Sequence, residues 1–498
     1  MTLSIRRRSL MPIATGLATA QLIALFYVRQ ASLHQLQRVE ALEAAGWLAI
    51  PAGPATALLN SYGTAFWGGL FFTLSVGSGL TLATWALCFL WQRLFGCDRR
   101  LILGGAGVWL ALIALVNASG WALFPSLFVV FVPLVTLLAS VQRAPREAAG
   151  STRTLWFLPL VTLVLLTALW TTQLNRQMFS TIRDHLLLSN AVGRQVNDFY
   201  YRYTLFAAQA FKSFEQQTIR SCRLDPSASP VSGVDWTPLL ARHDVLTVSG
   251  NGPVDLIIAA VDKQLRLVSA RGDVIEVLPA DFRKDPRTWL RRFSESEDRY
   301  GPFRRITLFG LLIGFPILLY VCVDGMIGRA AKHLFREVAV VWIRSIVCFV
   351  IGIALFLPML GSRADDIATD RLAEALAAET WTRRVTALRQ IADLHLDIAD
   401  YPGYRLLLES PMVVERYWLA RAMAGSRSPA VYADLLRLMR DPHPNVVCQA
   451  YYALGQSGRR AAAKAIQKQM VQSDHWYAQW YGYRAMRRLG WHQTRPNQ

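Results

Sequence analysis

VAVVWIRSIVCFVIGIALFLPML, residues 338–360, decides how this chain is read. A helix that spans a bilayer needs about 20 predominantly apolar residues. This run is long enough, and it carries a single charged residue, Arg344, near its start. Gly361-Ser362 ends it, and the sequence beyond becomes amphipathic at helical spacing. One boundary thus separates an apolar helix from a water-exposed helical region.

Six further apolar runs precede it, at about 10–28, 65–91, 101–117, 121–141, 155–174 and 306–323. Trp67 and Trp91 bracket the second, and Trp121 and Trp156 open the fourth and fifth, as expected of aromatic belts at a membrane interface. Basic residues mark alternate connections. Arg6, Arg7 and Arg8 precede the first run, Arg93, Arg99 and Arg100 follow the second, Arg143, Arg146 and Arg153 the fourth, and Arg329, Lys332 and Arg336 the sixth. The loop at 30–64 holds only Arg38, and 118–120 holds no basic residue. Arg304 and Arg305, at the start of the sixth run, argue weakly the other way. The asymmetry predicts a cytoplasmic N-terminus in the inner membrane, with 175–302 and 361–498 both outside. Ala18-Thr19-Ala20 mimics a signal-peptide cleavage site, but the apolar run continues through Val28 and favours a retained anchor.

The composition agrees: 53% of the 498 residues are hydrophobic, and mean hydropathy is +0.26. The net charge of +19 does not point to nucleic acid, because twelve basic residues sit in the caps just named and no nucleic-acid-binding motif is present. The six cysteines show no CxxC spacing, so no metal or cofactor is expected. Cys222 and Cys448 fall in the two outer regions, where a bridge is conceivable but nothing fixes their separation. Arg344 is expected to snorkel toward the inner interface.

Residues 175–302 read as a small α+β domain. Phe199, Tyr203, Phe206, Ala210 and Phe214 recur at helical spacing, and that aromatic face suits the domain's own core better than the membrane surface. A polar loop at Asp225–Pro230 follows. Val245–Val248, Leu256–Val261, Leu265–Val268 and Val274–Leu278 then predict an antiparallel meander. The charged stretch 281–302 reads as a solvated helix or linker back to the membrane.

From Glu379 onward a weak repeat appears with a period near 32. Gly425, Gly458 and Gly490 each follow an aromatic-rich helix, namely Arg416–Ala420, Gln449–Ala453 and Gln479–Tyr483. Glycine there suits a helix C-terminus that needs positive φ. Trp418, Tyr451 and Trp480 are expected between repeats. The helical hairpins, and Asp441-Pro442-His443-Pro444-Asn445-Val446-Val447 most of all, resemble the HEAT-like repeat superfamily over about 379–491. Pro402-Gly403 departs from it and disturbs the second helix of the first unit. The resemblance implies an α-solenoid and protein binding, and it implies no catalysis.

The reading is a mainly α protein: a polytopic membrane bundle of about seven spanning helices, a small extracytoplasmic α+β insert and a C-terminal HEAT-like α-solenoid. Its expected units are 1–174, 175–302, 303–360 and 361–498. Residues 361–498 hold 19 basic and 13 acidic side chains, a net of +6. Arg421, Arg437, Arg459, Arg460, Lys464, Arg487 and Arg488 are the candidate partner-binding face. The leading function is a membrane scaffold or assembly protein, with the lipid bilayer and a protein as partners. The alternative is a membrane enzyme or lipid- or glycan-handling component of a cell-envelope pathway, drawing on polar groups such as His185 and Asp198. A transporter is disfavoured by segment centres without Asp, Glu, Lys or His.

Overall fold

The computed structural model describes residues 3–94, 99–141, 157–175, 177–227, 235–250, 252–361 and 367–494. Arg143, Arg146, Arg153, Trp156, Ser362 and the 228–230 part of the polar loop lie outside the described residues, as do the side chains of Arg6, Arg7, Arg8, Arg93, Arg99 and Arg100.

Among the described residues five helices are long and apolar enough to cross a membrane: Leu10–Ala44, Tyr62–Trp91, Leu123–Val141, Gly301–Lys332 and Val338–Met359. The other two expected spans are shorter apolar helices among the described residues, Leu103–Val116 and Phe157–Thr172. The described part of the latter has 16 residues and rises about 24 Å. The first helix outruns its predicted end at residue 28. It is one element of 42 residues, Leu3–Ala44, about 63 Å long, so its second half stands clear of the apolar bundle. Arg344 pairs with Asp324 on the preceding helix at 3.3 Å.

Small residues let the bundle close. The Tyr62–Trp91 and Gly301–Lys332 helices each contain one π turn, Thr73–Gly77 and Gly310–Gly314. These turns pack together, and a Cβ at Gly314 would fall 2.8 Å from the Gly79 amide nitrogen. Close backbone approach of this kind substitutes for the hydrophobic effect inside a bilayer. Gly314→Val is therefore expected to force the helices apart at a cost of roughly 1–3 kcal/mol. The thermal midpoint of the detergent-solubilised protein should fall, and an unchanged midpoint would refute the close packing.

The insert carries five strands, β1 (Arg220–Leu224), β2 (Val245–Thr247), β3 (Leu256–Val261), β4 (Gln264–Ser269) and β5 (Val274–Val277). Their order is β2-β1-β3-β4-β5. The predicted meander holds for β3, β4 and β5, which pair antiparallel. It fails at β2, because β1 inserts between β2 and β3 and is parallel to both. Two arginines obscure β1 in the sequence: Arg220 lies 5.2 Å from the Phe214 ring, and Arg223 donates to the Gly252 carbonyl. The stretch 281–302 is largely helical, as one of its two readings had it, but one side of it is buried rather than solvated. Pro279–Lys284 and Pro286–Glu297 are helices that bury Phe282, Leu290 and Phe293 against the sheet with Trp236, Ile258 and Leu267.

The aromatic segment 199–214 is not one continuous α-helix. It breaks into an α-helix ending at Phe199, a π turn at Tyr200–Thr204 and short turns to Gln216. Its ring face is shared out: Phe199 meets Trp67 of the bundle, Phe206 meets Trp476 of the repeats, and Phe214 meets Phe293 of the sheet domain.

After residue 366, helical hairpins stack. Their first helices are Trp381–Asp393, Val413–Ala422, Pro444–Gln456 and Trp476–Arg488. Second helices are Pro429–Leu438 and Ala462–Gln472, and in the first unit Pro402–Glu409 is a 3-10 helix, as Pro402-Gly403 foretold. Gly458 and Gly490 adopt φ of +68° and +81°; Gly425 instead closes a 3-10 turn. Trp418 and Tyr451 are buried in the repeat core. Trp480 is only half-buried and lines a cleft. Cys222 and Cys448 are both buried and free, so no bridge joins them.

Candidate functional site: docked and exposed faces of the repeats

The first helices of the repeats present one edge to the rest of the chain. At the Val413–Ala422 helix, the Arg183 guanidinium lies 3.9 Å over the Tyr417 ring and its Nε donates to Asp184 at 2.7 Å. The other Asp184 oxygen accepts from Trp418 Nε1 at 2.8 Å. Asp184 is 1% exposed, so its charge is stable there only through these partners. At the next first helix, Asn197 Nδ2 donates to Asn445 Oδ1 at 2.9 Å.

The Trp476–Arg488 helix makes the most contacts. Trp476 Nε1 donates to the Tyr201 carbonyl at 2.9 Å. The Gln479 amide takes both backbone groups of Ala52, accepting from N at 2.8 Å and donating to O at 2.9 Å. Gln493 does the same to Leu48, at 2.8 and 3.0 Å. Tyr483 donates to Asp244 at 2.6 Å, and Arg487 pairs with the same carboxylate at 2.9 Å. A shared core backs these bonds: Val39 and Leu42 of the first helix, Trp47, Leu59, Phe206, Leu246 and Trp476 form one cluster. Trp47 Nε1 closes it on the Thr247 carbonyl at 2.7 Å.

Two histidines occupy equivalent N-cap positions in successive repeats, His443 and His475. Burial pushes both down to about 4, against the pull of Asp441 and Asp198 on His443 and of Asp198 and Asp474 on His475. His443 Nδ1 accepts from the Asn445 amide at 3.3 Å. Neither ring nitrogen of His475 has a hydrogen-bond partner among the described residues.

The seven basic residues singled out in the sequence have different partners. Arg487 points inward, to Asp244. Arg437 pairs with Glu409. Arg459 donates to the Arg427 carbonyl at 2.6 Å and covers the Tyr432 ring at 4.7 Å. Arg421 and Arg488 both cover the Tyr452 ring, at 5.1 and 5.0 Å. Arg460 and Lys464 are exposed and carry no ion pair among the described residues.

The two polar groups of the enzyme alternative are not brought together. The His185 ring packs 5.3 Å from Trp381, and burial lowers its pKa. Asp198 makes a long 3.9 Å contact with Arg202. Among the described residues no group of three or more His, Cys, Asp or Glu side chains is placed to hold a metal ion.

Residues 405–487 match the family model for HEAT repeats. That match starts within the 3-10 helix Pro402–Glu409 and runs through most of the Trp476–Arg488 helix. HEAT repeats point to a protein-interaction region. No curated protein and no solved structure matches the chain.

Sequence reasoning missed Asp184, Gln479, Gln493 and the histidine pair. Gln479 carried a usable signal. It stands between Trp476 and Tyr483 at helical spacing, so a polar amide occupies an apolar-face position and needs a partner there.

Proposed function

We propose that the protein is an integral membrane scaffold or assembly protein of the cell envelope. In this reading seven helices span the cytoplasmic membrane, the N-terminus is cytoplasmic, and the insert and a HEAT-like α-solenoid stand at the outer face. The observation that carries the proposal is the division of labour between the two faces of the repeats. The first-helix edge is occupied by the chain itself, through Asp184, Asn197, Ala52 and Asp244. The second-helix face keeps Arg440, Arg460, Lys464 and Lys468 exposed. Such a face suits a protein partner of acidic surface, where charge complementarity steers encounter.

The test is crosslinking in native membranes with mass spectrometry. A reproducible partner is expected to crosslink through the Ala462–Gln472 helix. Arg460→Glu with Lys464→Glu should cut its capture by roughly 2–10-fold while membrane insertion persists, in line with the loss of rim charges. Equal capture by the double variant would remove this face from the mechanism. Arg459 is left unchanged in this design, because its guanidinium also braces the Arg427 carbonyl.

A further inference from the structure

A cleft opens where the first helix, the insert and the last repeat meet. Its cavity volume is small, about 50 Å³. Trp480, Trp476 and Phe206 supply its aromatic wall, and Gln35, Arg38 and Gln209 line it with polar groups. Trp480 also stacks on Tyr477, with ring centroids 5.5 Å apart and planes at 13°.

Two cations bracket the Trp480 indole. The Arg484 guanidinium lies 4.6 Å from the ring centre, and the Lys212 ammonium lies 5.9 Å from it. Neither has a carboxylate partner among the described residues, where other arginines of the same surfaces are paired: Arg202 with Asp474, Arg38 with Asp255 and Arg487 with Asp244. Lys212 is half-buried. Burial, and then the nearby charge of Arg484, lowers its pKa. Two like charges kept close with no anion between them form a site of positive potential that an anionic ligand would relieve.

The position of Lys212 says where that ligand stands. Phe211, the residue before it, is buried among bundle rings, 4.3 Å from Tyr27, 4.9 Å from Phe72 and 4.8 Å from Phe303. Phe303 lies in the first turn of the Gly301–Lys332 helix. Lys212 therefore leaves the chain at the rim of the apolar bundle. Arg38, eleven residues beyond Tyr27 on the same helix, is about 16 Å higher along its axis.

We infer that Lys212 and Arg484, held beside Trp480, form a binding site for the phosphate of an anionic lipid headgroup. The ammonium and guanidinium contribute charge-assisted hydrogen bonds. The inference shares with the proposed function only the reading that the bundle spans a membrane.

Native mass spectrometry of the detergent-solubilised full chain, titrated with phosphatidylglycerol, tests it. The wild type should retain the lipid, and diacylglycerol with the same chains should not bind. Lys212→Met with Arg484→Gln should lower retention about tenfold or more, as loss of charged hydrogen bonds implies. Lys212→Arg should preserve binding, and Arg488→Gln on the same helix should leave it unchanged. Equal retention by the double variant, or equal binding of diacylglycerol, would overturn the site. Glycerol 3-phosphate displacing the lipid at equal concentration would assign it to a soluble phosphate ester and overturn the lipid assignment. Resistance of the wild type to carbonate extraction tests membrane insertion separately.

Discussion

Asp184→Ala should release the repeats from the rest of the chain. The carboxylate is 1% exposed, pairs with Arg183 and accepts from the Trp418 indole. Its removal leaves a guanidinium without its counter-charge and an indole N–H without its acceptor, both in a buried joint. Breaking a buried pair by deleting one partner costs about 3–5 kcal/mol, because the survivor remains desolvated. The Tyr417 ring still covers Arg183 at 3.9 Å, but a cation–π contact of about 1–2 kcal/mol does not replace the carboxylate. Limited proteolysis and hydrogen exchange across 367–494 should show the repeats opening from the body while each hairpin keeps its own protection. Asp184→Asn, which keeps an acceptor for Trp418, should give a smaller effect. Wild-type protection in the alanine variant would show that the joint is held elsewhere.

Acid should weaken the same joint. His475 is 3% exposed, and burial holds its pKa near 4 against an ordinary 6.5. A histidine with a depressed folded pKa stabilises the docked form fully above 6.5. As pH falls from 6.5 toward 4, the undocked form takes up a proton that the docked form refuses, so docking weakens through that window and levels off below it. The 2.5-unit gap corresponds to roughly 3 kcal/mol for this one group. His443 adds an effect of the same sign, with its pKa also near 4. Asp198 and Asp474 soften the response of His475 by favouring its charged form; Arg202 and His443 sharpen it. Hydrogen exchange at pH 7.5 and 4.5 should show loosening around residues 191–204 and 443–479. His475→Gln should flatten much of the profile. A flat wild-type profile would sink the idea.

The apolar helices were legible because a spanning helix needs composition and length and little else. Leu103–Val116 and Phe157–Thr172 were legible as apolar helices too, though shorter among the described residues. The repeats were legible through Gly458 and Gly490, whose positive φ explains the spacing that betrayed them. β1 was hidden because Arg220 and Arg223 look like surface residues until an aromatic ring and a carbonyl are found to cover them. The docked edge was illegible for a different reason. Asp184 and Trp418 are 234 residues apart, and no local pattern announces a long-range partner. The directions of the basic residues were illegible because charge is countable in a sequence while direction is not. Arg487 and Arg488 are neighbours, yet one faces Asp244 and the other the Tyr452 ring.

The hold of Gln479 on Ala52, and of Gln493 on Leu48, has a consequence in time. These partners are separated by 427 and 445 residues. A ribosome adding about 5–20 residues per second needs about 20–90 s to travel that far. Through that interval the loop after the first helix has been made, but the amides that satisfy its peptide groups have not. The early part of the chain thus reaches its final form only when the last repeat arrives, so a nascent protein stalled short of residue 479 carries an open seam at residues 48–52.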